Sequence, residues 1–172
     1  GYVFKRVDIE DGIEIPALAD YVVDTARGTT LENKGARVHT IEHSLAALRG
    51  MDIDNALIEL DCEEVPIMDG SAQPFVDILK TVGVEEQDAE RVYLEIDDVV
   101  LLNDEEKKAV LTIVPHEEFK ITTLINYNSK VLGTQNAIME HMGEFNENFA
   151  KCRTFVFLHE VEHLFRNEHL IK

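Results

Sequence analysis

Two clusters of glutamate and histidine have the residue types and spacing for hydrolytic chemistry. His159-Glu160-Val161-Glu162-His163 matches H-E-x-x-H, in which histidines one helical turn apart hold zinc and the glutamate serves as base. His169 follows at the spacing of the extended metzincin motif. The second cluster is His39-Thr40-Ile41-Glu42-His43. An adjacent Glu and His at a helix start can present a general base and a zinc ligand to one cleft, the His filling one of three protein positions on an open catalytic zinc.

The elements that carry these clusters weigh them differently. At 100° per residue, Leu158, Val161, Leu164 and Phe165 form one stripe of a helix expected from about Phe157 to Phe165, and His159 and His163 fall nearly opposite it. If the stripe faces the core, the histidines face away. The metzincin glycine is replaced by Arg166, and no methionine follows for a Met-turn. A solvated, charge-rich helix face is therefore the stronger reading, with a peptidase through His159, Glu160 and His163 kept as the alternative. For the second cluster, the plain reading is a helix capped by the Thr40 hydroxyl, carried by Ile41, Leu45 and Leu48 and ended by Gly50 as the residue after its C-cap. Glu42 suits the positive end of the helix dipole.

Around that helix the chain alternates short β-like runs and turns: Tyr2 to Val7, Glu14 to Pro16, Tyr21 to Thr25 and Arg27 to Leu31, then a polar turn at Glu32 to Gly35. A strand at Asn55 to Leu60 and a loop at Pro66 to Ser71 lead into a second helix, Ala72 to Val82. After an acidic bridge, Glu85 to Glu90, come strand-like runs at Val92 to Leu102, Lys108 to Val114, Phe119 to Tyr127 and near Ile138, then a helix near Phe145 to Arg153. A domain boundary near residue 88 follows.

The 172 residues suffice for a real core. With 34 acidic against 16 basic residues the net charge is −18, and no basic stripe interrupts it, so nucleic acid is not an expected partner. Cys62 and Cys152 lack metal-type spacing and read as two small core residues in a reducing compartment. No run approaches the roughly 20 apolar residues of a membrane span, and the start is not a signal peptide, which predicts a cytoplasmic protein.

Several motifs recur in order: Arg27-Gly28-Thr29-Thr30-Leu31, Val38 to His43, Ala46 to Gly50, Ile53-Asp54-Asn55 and Glu64 to Phe75. The series closely resembles the UDP-3-O-acyl-N-acetylglucosamine deacetylases, the zinc-dependent hydrolases of lipid A synthesis in Gram-negative bacteria. Weaker similarity runs on through Ile125 to Asn128 and Arg153 to Phe157.

The resemblance implies an α+β fold of two similar small α/β-sandwich domains, each a sheet plus two helices, here residues 1–87 and an incomplete 88–172. It implies Glu42 as the base toward a zinc-bound water, whose pKa would fall to about 7, and His43 as a zinc ligand. It implies Thr154 as the hydroxyl that supports the oxyanion, with Phe155 and Val161 along the passage for the acyl chain. Read as bare residues, Thr154 is a strand residue, and Phe155 and Val161 are core. Asp69 is expected to cap or brace the second helix, with support of the site as the lesser reading. The implied substrate is a UDP-linked acylated amino sugar.

Departures qualify the match. The family's other zinc ligands come from H-x-x-x-D, followed by a catalytic His; this sequence contains no H-x-x-x-D, so these are expected beyond Lys172. The family's glycine-rich turn is expected before Gly1. Ser129-Lys130 stands where the family has His-Pro. The expectation is a piece truncated at both ends, inactive alone, whose exposed apolar surface drives self-association. The remaining alternative is a non-enzymatic acidic interaction domain.

Overall fold

A computed structural model describes residues 1–158 and 160–162. The chain divides into two compact units, Gly1–Gly83 with the chain from Asn146, and Val84–Phe145.

The first unit holds two three-stranded sheets. Strand β1 (Tyr2–Arg6) pairs antiparallel with β2 (Ile13–Pro16), Phe4 opposite Ile15. On its other side it pairs in parallel with β6 (Ala56–Leu60). The second sheet is antiparallel, in the order β3 (Val22–Asp24), β4 (Thr30–Asn33), β5 (Ala36–Val38). Phe4, Ile15, Leu31, Ala36, Val38, Ile41 and Val65 form one buried core cluster. Strands β1, β2, β4 and β5 supply its strand residues, and in β5 the two-residue period is complete, with Ala36 and Val38 buried on either side of the exposed Arg37. Arg6 follows the same alternation into the interior, and its charge is met there. Nε and Nη2 donate to the two Asp8 carboxylate oxygens at 2.7 and 2.6 Å, and Nη1 donates to the Arg37 carbonyl at 2.6 Å. These bonds hold the Arg6 guanidinium pKa above, and the Asp8 carboxyl below, their ordinary values.

Helix α1 (Glu42–Gly50) buries Ser44, Ala47 and Leu48. Helix α2 (Gln73–Val82) starts with Pro74 in its first turn, buries Val76 and ends at Gly83, whose φ of 77° only glycine adopts without strain.

Several local details differ from the expectations. Thr40 does not cap α1. It takes a left-handed φ of 59°, and its hydroxyl donates to Glu64 Oε1 at 2.8 Å, so Ile41 precedes the helix instead. Gly50 remains within the helix, and the reversal falls to Asp52 with φ of 57°. The turn between β4 and β5 is tighter than Glu32 to Gly35: Lys34 and Gly35 both have positive φ, so Glu32 and Asn33 stay in the strand. Both cysteines are exposed. Each lies in a turn, with Cys62 Sγ against the Glu64 carbonyl and Cys152 Sγ against that of Asn148.

The second unit consists of two hairpins, β7 (Val100–Asp104) with β8 (Ala109–Ile113), and β9 (Ile121–Asn126) with β10 (Thr134–Met139). Residues 92–99 do not extend β7: among the described residues no partner strand accompanies them. Val100 opposite Ile113 and Leu102 opposite Leu111 give the first hairpin one apolar face, which stays exposed. Met139 is the buried residue of this unit among the described residues. In place of a helix near Phe145 to Arg153, a 3-10 turn at Met142–Glu144 runs into a single π turn, Phe145–Phe149.

Candidate active site

The start of α1 places Glu42 and His43 side by side, both half-buried. The Glu42 carboxylate lies against the chain between β3 and β4, where Oε2 accepts the Thr29 N–H at 3.0 Å. Gly28 makes this approach possible, since a β-carbon there would stand 3.1 Å from Glu42 Oε1. The next residue, Thr30, is buried, and its hydroxyl lies 2.9 Å from His39 Nδ1. Together these contacts tie the entry of β4 to the exit of β5.

His39 and Thr40 are joined in turn to the segment after β6. The His39 N–H donates to the Glu63 carbonyl at 2.8 Å, and the Val65 N–H donates to the His39 carbonyl at 3.1 Å. With Thr40 on Glu64, the two residues that deliver the chain to Glu42 are fixed by backbone and side chain. A β-branched residue with positive φ is uncommon and costs of order 1–3 kcal/mol. It persists because the surrounding bonds determine it.

Thr154 belongs to a second arrangement within the same unit. Its N–H donates to the Gly70 carbonyl at 2.8 Å, and Gly70 has a left-handed φ of 81°. Next to it, Arg153 Nη2 donates to Asp69 Oδ2 at 3.3 Å. Asp69 Oδ1 accepts both the Ser71 hydroxyl at 2.7 Å and the Ser71 N–H at 3.1 Å. The Ser71 hydroxyl then accepts the Gln73 N–H at the start of α2. Asp69 thus braces the second helix through Ser71. Ser71 first, with Arg153 adding to it, holds the Asp69 carboxyl below its ordinary pKa of 3.8.

Phe155 is exposed and meets Phe157 edge to face, with ring centroids 5.5 Å apart. Val161 is half-buried and donates its N–H to the Phe157 carbonyl at 3.1 Å. Leu158, expected on a core-facing stripe, is 74% exposed. Of the H-E-x-x-H cluster, His159 and His163 lie outside the described residues, as does His169. Glu160 is engaged at the helix start, its Oε2 accepting the Phe157 N–H at 2.9 Å, which is half of a capping box.

Among the described residues, no three His, Cys, Asp or Glu side chains converge as a metal site. His43 offers one donor and Glu42 places one carboxylate oxygen on the Thr29 N–H, so the described residues do not by themselves fit a zinc ion. Two surface concavities, one lined by Lys5 and Val7 to Gly12 and the other by Glu10 to Glu14, Pro16, Asn33 and Lys34, include neither Glu42, His43 nor Thr154. No described helix is long and apolar enough to cross a membrane.

Sequence reasoning named Glu42, His43 and Thr154 but missed what holds them: Thr29, Thr30, His39, Glu64 and Gly70. The available signal was proximity in sequence, because all five sit inside the motifs that carry the family resemblance.

Comparison with known proteins extends these observations over the whole chain. Residues 1–172 match the family model described as UDP-3-O-acyl N-acetylglycosamine deacetylase. A bifunctional enzyme LpxC/FabZ of Chlorobaculum tepidum is 44% identical over 173 residues, covering 100% of this chain and 37% of that protein. Proteins named UDP-3-O-acyl-N-acetylglucosamine deacetylase are similar too. That of Myxococcus xanthus is 45% identical, over 95% of this chain and 52% of its own length. That of Teredinibacter turnerae is 39% identical, over 100% of this chain and 57% of its own. The chain therefore spans from about a third to somewhat over half of these curated relatives. With the match running from the first residue to the last, and with the Glu-His pair seated at a helix start, the chain belongs to the UDP-3-O-acyl N-acetylglycosamine deacetylase family.

Proposed function

We propose that the chain is part of a zinc-dependent amidohydrolase that removes acetate from UDP-3-O-acyl-N-acetylglucosamine, the committed step of lipid A and hence lipopolysaccharide synthesis in Gram-negative bacteria. The observation that carries this reading is the Glu42 carboxylate held on the Thr29 N–H beside His43. A carboxylate fixed at one oxygen keeps the other for proton transfer, which is what a general base needs.

In this reading Glu42 takes a proton from the water that attacks the acetamide carbonyl. The new C–O bond gives an oxyanion, and Thr154 donates its hydroxyl to it. The C–N bond then breaks, acetate departs, and the amine nitrogen takes up the proton. Phe155 and Val161 line the route of the acyl chain; the exposure of Phe155 supports contact with an apolar ligand. His43 is the one zinc ligand this chain supplies, with the remaining ligands contributed by the rest of the protein, so the isolated chain is inactive.

The division into domains 1–87 and 88–172 and a cytoplasmic location belong to the same proposal. So does self-association of the isolated chain, supported by the exposed apolar face of the β7–β8 hairpin. The test is deacetylase turnover of the full-length protein carrying Glu42→Ala. Loss of several orders of magnitude is expected, and near-normal turnover would remove the assignment.

A further inference from the structure

Thr154 is 84 residues from Gly70 in sequence, yet its backbone is hydrogen-bonded there, and the residues before each partner form an ion pair of their own. We propose that Asp69 is a positioning residue for Thr154, acting through Arg153 and the Gly70 carbonyl. This rests on the reading of Thr154 as the hydroxyl that meets the oxyanion.

Three features carry it. Asp69 divides its oxygens, Oδ1 to Ser71 at the root of α2 and Oδ2 to Arg153, so it links a buried anchor to the segment before Thr154. Ser71 is fully buried, which makes that anchor rigid. Gly70 is left-handed and turns its carbonyl to Thr154, and a β-carbon there would lie 3.5 Å from Thr154 Cγ2. The loop backbone therefore lies close enough to the threonine that a side chain at position 70 would touch it.

The Asp69–Arg153 pair is exposed, with side-chain exposures of 40% and 67%, and an exposed pair of this kind contributes little to stability. What it can do is orient the residue that follows Arg153. Because catalysis is sensitive to displacements of an ångström or less, weak links of this sort matter more for rate than for folding.

The test is a double-mutant cycle in the full-length enzyme, with Asp69→Asn, Thr154→Val and the pair of them. In Asp69→Asn the amide oxygen still accepts from Ser71, while the amide nitrogen meets Arg153 donor to donor. We expect kcat to fall about tenfold with KM unchanged, and Arg153→Gln to reproduce this. In the Thr154→Val background, Asp69→Asn should cost nothing further, since the group it positions is gone. Additive losses, or equal activity of Asp69→Asn and wild type, would overturn the positioning role alone. Near-normal turnover of Thr154→Val would overturn the reading of Thr154 and this role with it.

Discussion

The Thr30 hydroxyl and His39 Nδ1 lie 2.9 Å apart, closing the mouth of the β4–β5 hairpin one residue from the Glu42 anchor at Thr29 and one residue from the left-handed Thr40. Thr30→Val leaves the shape and removes this bond. A stability loss of about 1 kcal/mol is expected, read as a lower urea midpoint, together with reduced turnover of the full-length enzyme. Thr30→Ser should restore both. An unchanged midpoint would show that the bond is not formed.

Gly70 meets Thr154 with a φ that other residues adopt only with strain. Gly70→Ala is expected to destabilise by about 1–2 kcal/mol from the left-handed backbone. Chemical denaturation of the purified protein checks it, and an unchanged or raised midpoint would contradict the assigned backbone.

The centre of the first unit is Phe4, fully buried between β2 and β6. Phe4→Ala should cost about 3–5 kcal/mol, enough to unfold a marginal domain. Loss of a cooperative thermal transition is the expected result; a midpoint within a few degrees of wild type would contradict the core.

Asp8 and Arg6 predict a pH dependence. The Arg6 hydrogen bonds lower the Asp8 pKa in the folded protein below 3.8. A depressed carboxyl contributes stability that is present above its unfolded value and lost as the pH falls through the folded one, so denaturation midpoints should drop on acidification from about pH 5 to pH 2. Asp8→Asn should be less stable at neutral pH and show a shallower acid loss. The same slope in both proteins would remove Asp8 as a contributor.

Much of the first unit was legible in the sequence because β1 and β2 turn Phe4, Arg6 and Ile15 inward at the two-residue period and the second helix has an apolar face, with Phe75 packed on the core and Val76 buried. The Glu42-His43 pair was legible because a motif fixes it locally. The support was not. Thr40 reads as an N-cap by its type, yet its hydroxyl is claimed by Glu64, 24 residues away, and no local rule anticipates a distant acceptor. Asp69 and Arg153 likewise meet through a contact spanning 84 residues. The β7 run was overextended because Val92, Leu94 and Val99 have strand-forming side chains but no partner strand among the described residues, and β-propensity needs one.

Whether Glu42 moves the proton is tested most directly by Glu42→Gln in the full-length enzyme. Its amide oxygen can still accept the Thr29 N–H, so the geometry stays while the base is lost. With Glu42 as the base, kcat for deacetylation is expected to fall by about 10²–10⁴-fold with substrate binding retained. Turnover within a few-fold of wild type would contradict it.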